Sequence, residues 1–86
     1  MRIRHKRDFL KRYIKLSATL RTKCDERIQL FVMEPGHPLL NNHALKGERM
    51  GQWSINVTGY WRALYEFEDS ETVVFTEIDT HSNLYK

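Results

Sequence analysis

A single cysteine, Cys24, is all that this 86-residue chain carries. No internal disulfide can form, so packing alone must hold the fold, and a reducing compartment is the natural setting. No apolar run is long enough to cross a bilayer. The basic start, MRIRHKRDFLKR, leads into no apolar signal-peptide core. The expectation is a cytoplasmic protein without a membrane partner. Catalytic signatures are also missing: no glycine-rich phosphate loop follows a strand, and no HExxH occurs. Asp79 and His81 have no obvious serine nucleophile with which to form a triad. His37 and His43 are spaced as in no common metal motif, and Cys24 has no cysteine partner, so neither a metal nor a cofactor is expected. There are no repeats and no low-complexity stretch.

What is present suits one domain spanning residues 1–86. The chain is 41% hydrophobic and 12% aromatic, enough for a core. Its formal net charge is +3, and nine of the fourteen Lys and Arg residues precede Cys24, whereas most acids follow Glu48. A basic N-terminal segment attracts nucleic acid or an acidic protein, or is simply the solvated face of a surface helix.

Periodicity divides the chain. Residues 2–5 suit a short strand with Ile3 turned inward. Asp8 is a candidate N-cap for a helix running to Lys15, with Phe9, Leu10, Tyr13 and Ile14 as its apolar stripe. A second helix is predicted from Ala18 to Met33, where Leu20, Cys24, Ile28, Phe31 and Val32 recur at three- and four-residue steps. Pro35 and Gly36 stop it, and the short link between the two suggests a helical hairpin. Residues 35–52 read as a long irregular connection anchored by Leu39, Leu40 and Leu45, a feature often tied to function. The period then changes to two. Trp53, Ile55 and Val57 share one face, as do Trp61, Ala63, Tyr65 and Phe67 of a strand from Tyr60 to Phe67. A third run covers Thr72 to Ile78. The fold class expected is α+β: an N-terminal helical hairpin packed on a small, mainly antiparallel sheet.

Several polar groups are of the types that metal-free RNA cleavage needs. A base takes the 2′-hydroxyl proton, an acid protonates the leaving 5′-oxygen, and a cation stabilises the charge that builds on phosphorus. His43 and His81 suit proton transfer, Arg62 and Lys46 suit phosphate, and Trp61 and Tyr85 suit base stacking or the cleft wall. Asn56 and Arg62 lie on the less apolar faces of neighbouring strands. Each has a plainer role as well: a surface or hydrogen-bonded histidine, an exposed strand arginine, a tyrosine pinning the C-terminus, and core packing for Trp61 and Tyr65.

Three ordered motifs add to this: His43-x-Leu45-x-Gly47-x-x-x-Gly51, the strand W-R-A-L-Y from Trp61, and T-H-S-x-L-Y from Thr80 to Tyr85. With their spacing, most of the chain resembles the RelE/ParE toxin superfamily, its nearest branch being the RelE/StbE and YafQ-like mRNA interferases. The resemblance implies a single RelE-like toxin domain that enters the ribosomal A site and cuts mRNA there, and a cognate antitoxin that neutralises it. It implies functional roles for His43, Trp61, His81 and the aromatic Tyr85. This chain departs from the branch at Asn56, where a histidine is usual, at Tyr60 for an aspartate, at Trp53 for a basic residue and at Glu77 for an arginine. The same fold also carries gyrase inhibitors, and an inactive antitoxin-binding relative is the third reading.

Overall fold

The computed structural model describes residues 1–85. Strand β1 (Arg2–His5) opens the chain and is followed by helices α1 (Arg7–Tyr13) and α2 (Ala18–Met33). Strands β2 (His43–Ala44), β3 (Trp53–Asn56), β4 (Trp61–Phe67) and β5 (Thr72–Thr80) come next, and helix α3 (His81–Leu84) closes it. The strands form one sheet in the order β1-β5-β4-β3-β2. The β5–β4, β4–β3 and β3–β2 pairs are antiparallel, and β1 lies parallel to β5. The architecture is thus mixed α+β, with two helices ahead of the main sheet strands and a third, not anticipated, behind them. Among the described residues no helix is long and apolar enough to cross a membrane.

Helix α2 has the predicted bounds. Ser17 caps it by accepting a hydrogen bond from the Leu20 N–H at 3.2 Å, which satisfies one of the orphan donors of its first turn. Helix α1 differs from expectation. Lys6, not Asp8, occupies the N-cap position and makes no side-chain cap. Asp8 sits inside the first turn, where a carboxylate still complements the positive helix end. The helix stops at Tyr13 instead of Lys15, because the chain turns there to bury Leu16. Leu10 and Ile14 lie outside the core, as do Val32 and Leu39. The connection over residues 35–52 is not irregular throughout: it holds 3-10 turns at Pro38–Leu40 and Gly47–Arg49 as well as β2.

The helices cover one face of the sheet. Phe9 of α1 and Cys24 and Phe31 of α2 pack on Ile55, Val57, Ala63, Tyr65, Val73, Phe75 and Ile78. Phe75 lies at the centre, 5.5–5.9 Å from the rings of Tyr65, Phe9 and Phe31. Each such ring contributes about 1.5–3 kcal/mol by burial. Tyr65 carries a hydroxyl into this core and satisfies it by donating to Asn42 Oδ1 at 2.7 Å.

One irregularity decides what the other face presents. Tyr65 pairs with Phe75, but its neighbour Leu64 pairs with Glu77, so Thr76 is an extra residue in β5. Up to that bulge the odd positions, Val73 and Phe75, face the helices; beyond it Ile78 does. Uninterrupted alternation would have driven Glu77 into the core. The bulge instead turns Glu77 to the opposite side, where Leu45, Leu64 and Leu84 form a second small apolar cluster.

Candidate active site

Two hollows lie beside the C-terminal helix. The larger, about 810 Å³, is lined by Leu45, Lys46, Arg49, Gln52, Glu66 and Tyr85, among others. The smaller, about 520 Å³, is formed by residues 59–62 and 80–82 and includes Trp61, Arg62 and His81.

The elements that end here place the side chains. Thr80 leaves β5 in extended geometry and caps α3, its hydroxyl accepting from the Asn83 N–H at 3.3 Å. That cap sets His81 at the first helical position, and the His81 N–H donates to the Tyr60 carbonyl at 2.7 Å. One turn later the Tyr85 N–H donates to the His81 carbonyl at 3.1 Å. The two rings meet, with centroids 4.5 Å apart and planes tilted by 51°. His81 lines the smaller hollow and Tyr85 the larger, so this pair stands at their boundary.

Arg62 is fixed by its hairpin. Its Nη1 donates to the carbonyls of Thr58 at 2.8 Å, Trp61 at 3.0 Å and Gly59 at 3.3 Å. The register sets Asn56, Arg62 and Asp79 side by side across β3, β4 and β5. Asn56 Oδ1 is buried and has no hydrogen-bond partner among the described residues. Trp61 is half-buried against the core, and the Arg12 guanidinium lies over its ring at 5.8 Å. Arg12 also pairs with Asp79 at 3.0 Å. Both readings of Trp61 are therefore visible in one residue: it packs inward and still borders the hollow of His81.

His43 is placed differently. It lies on the outer strand β2, exposed, with Nδ1 2.7 Å from the Asn41 carbonyl. It lines neither hollow, and among the described residues no hydrogen bond or ring contact joins it to His81. The structure thus brings His81, Arg62 and Trp61 together, adds Lys46 and Tyr85 across the ring contact, and leaves His43 and Asn56 outside both hollows.

The most highly organised group was not among the residues singled out from the sequence. Arg49 projects from the 3-10 turn at Gly47–Arg49 into the larger cleft. Its Nε donates to the Leu84 carbonyl at 3.1 Å, and its Nη1 donates to Gln52 Oε1 at 2.9 Å and Glu77 Oε2 at 2.6 Å. Gln52 in turn donates to Glu66 at 3.4 Å. A signal for this existed in Gly47 and Gly51, whose φ values of 66° and 96° require glycine and bracket the turn that aims Arg49. Among the described residues no group of three or more His, Cys, Asp or Glu side chains is placed to share a metal ion.

The fold is one known among small bacterial toxins. Solved structures superpose over nearly the whole chain: a YoeB/ParE toxin from Agrobacterium tumefaciens at a TM-score of 0.78, with 21% identity over 94% of this chain and 99% of that one. YafQ from E. coli strain BL21(DE3) gives 0.78, with 18% identity and full coverage of both chains. The toxin–antitoxin complex RelBE2 of Mycobacterium tuberculosis contains a chain giving 0.76, with 23% identity over 93% of this chain and 96% of that one. The chain therefore has the fold of the RelE/YafQ-like toxin superfamily. In sequence, 39 residues are 38% identical to the endoribonuclease HigB of Proteus vulgaris, which is 45% of this chain and 42% of that protein. The match thus spans under half of the curated relative's length. No protein-family model matches the chain.

Proposed function

We propose that this chain is the toxin of a toxin–antitoxin pair, and that it cuts mRNA on the ribosome without a metal. The observation that carries this reading is the His81–Tyr85 pair at the boundary of two hollows that also hold Arg62, Trp61 and Lys46. A phosphodiester crossing that boundary meets a proton-transfer group, cations and aromatic walls together.

In the reaction, a base removes the 2′-hydroxyl proton and the 2′-oxygen attacks phosphorus. The bond to the 5′-oxygen breaks, and an acid protonates that oxygen. The products are a 2′,3′-cyclic phosphate and a 5′-hydroxyl. Imidazole titrates near neutrality, which suits His81 to one of these proton transfers. Tyr85, in contact with it, takes the place that sequence reasoning assigned to His43. Lys46 and Arg62 serve as phosphate contacts, and Trp61 shapes the wall beside His81. HigB is named an endoribonuclease, and DinJ–YafQ of E. coli is a toxin–antitoxin complex. Both support the same reading here, with a cognate antitoxin as the protein partner and mRNA in the ribosome as the substrate.

Primer extension in a reconstituted translation reaction tests it. Discrete cuts are expected with ribosomes and not without them, and His81→Ala is expected to slow cutting by about 100-fold, the scale of a lost acid or base. Folded wild-type protein that produces no cuts would sink the RNase reading. The fold's other known activity, gyrase inhibition, would then be measured by supercoiling.

A further inference from the structure

Arg49 is held as a catalytic cation would be held. A guanidinium has five N–H groups in a rigid plane. In Arg49 the Nε hydrogen is engaged by Leu84, and Nη1 is engaged by Gln52 and Glu77. Nη2 makes no hydrogen bond among the described residues, so its two donors remain while the plane around them is fixed. The side chain is only 29% exposed, and the cleft it lines also holds Tyr85. Its bond to Leu84 ties it to the helical turn that carries the His81–Tyr85 pair. Lys46, by contrast, is exposed and makes no side-chain hydrogen bond among the described residues. Arg62 has its Nη1 committed to hairpin carbonyls.

We propose that Arg49 is the cation that meets the scissile phosphate, with Nη2 donating to a non-bridging oxygen, and that Glu77 is its positioning residue. This rests on the RNase reading above. A pre-aimed donor of this kind acts where charge grows in the transition state and needs no reorganisation when it does so. Glu77 reaches the cleft only because of the β5 bulge, and its carboxylate receives the shortest of the three bonds that orient Arg49.

The test is single-turnover cleavage of ribosome-bound mRNA carrying a phosphorothioate at the cut position, with each diastereomer assayed separately. For the wild type, sulfur at the oxygen facing Arg49 should slow cutting roughly tenfold relative to the other diastereomer, the order expected for weakening one charge-assisted donor. Arg49→Gln should cut about 100-fold more slowly and lose the difference between diastereomers. Arg49→Lys should retain part of both effects. Glu77→Gln, which keeps an acceptor for Nη1, should stay within a few-fold of wild type and keep the stereopreference, whereas Glu77→Leu should lose both. If wild type cuts but Arg49→Gln keeps the diastereomer preference, or slows both forms only in step with a lowered melting temperature, Arg49 merely pins its loop and the proposal fails. If wild type does not cut at all, the RNase reading has failed and this assignment falls with it.

Discussion

Ser54 is fully buried on β3, and its Oγ meets no hydrogen-bond partner among the described residues. It faces the cleft side of the sheet, opposite Leu64 in the register. A buried hydroxyl without a partner carries a desolvation cost that no bond offsets. Ser54→Ala should therefore stabilise the protein by about 1 kcal/mol. Urea unfolding followed by circular dichroism would read this as a raised midpoint with an unchanged slope; a destabilised variant would show that the hydroxyl is satisfied after all. Tyr65 is the contrasting case on the same sheet. It is equally buried, but its hydroxyl reaches Asn42, and its whole ring serves the core. The candidate site follows the same logic. Residue chemistry nominates His81, Tyr85, Arg62, Trp61 and Lys46 in the sequence, and the fold sets them along the two hollows. Arg49 escaped notice because its importance lies in its partners, and Leu84, Gln52 and Glu77 lie 3 to 35 residues away along the chain.

Elements were legible where one periodicity runs unbroken. Helix α2 keeps its stripe through Cys24, Ile28 and Phe31 and has the bounds that spacing predicts. The alternations of β3 and β4 place Ile55, Ala63 and Tyr65 in the core, as read from the sequence. Helix α1, at seven residues, is too short for a stripe to separate Phe9 from Leu10. Helix α3 is shorter still and was signalled only by the Thr80 cap. The least legible feature was the bulge, since nothing in TVVFTEIDT marks Thr76 as extra until the pairing with β4 is known. Its consequence is testable. Deleting Thr76 removes the extra residue, and plain alternation through Phe75, Glu77 and Ile78 then still keeps Glu77 on the cleft side and Ile78 in the core. The deletion variant should therefore retain a cooperative thermal transition and lose only the local fit of the bulge. A deletion variant without a cooperative transition would mean that the bulge itself, and not the alternation of side chains, holds the strand in register.

At the scale of the molecule, one core face takes up two groups that ionise at high pH. Burial pushes the Cys24 thiol from 9.0 up to about 12. Burial likewise raises Tyr65 from 10.0 to about 12. Both stay neutral when folded but ionise in the unfolded chain near their ordinary values. Above pH 9 the unfolded chain therefore binds fewer protons than the native state, and stability falls as pH rises. The contribution is fully present below about pH 9 and is lost progressively toward about 12, at up to about 1.4 kcal/mol per pH unit for each group. Urea midpoints should be flat from neutrality to about pH 8.5 and then decline. Two single variants separate the contributions. Cys24→Ala leaves a small void but no ionisable group, so it should lower stability at neutral pH and flatten the decline that begins near 9. Tyr65→Phe keeps the ring and should flatten the decline that begins near 10, at a neutral-pH cost of about 1 kcal/mol for the lost Asn42 bond. If both variants decline as steeply as wild type, the alkaline loss arises outside the core, as from Tyr13, whose pKa is raised by the hydrogen bond that its hydroxyl donates to Asp25.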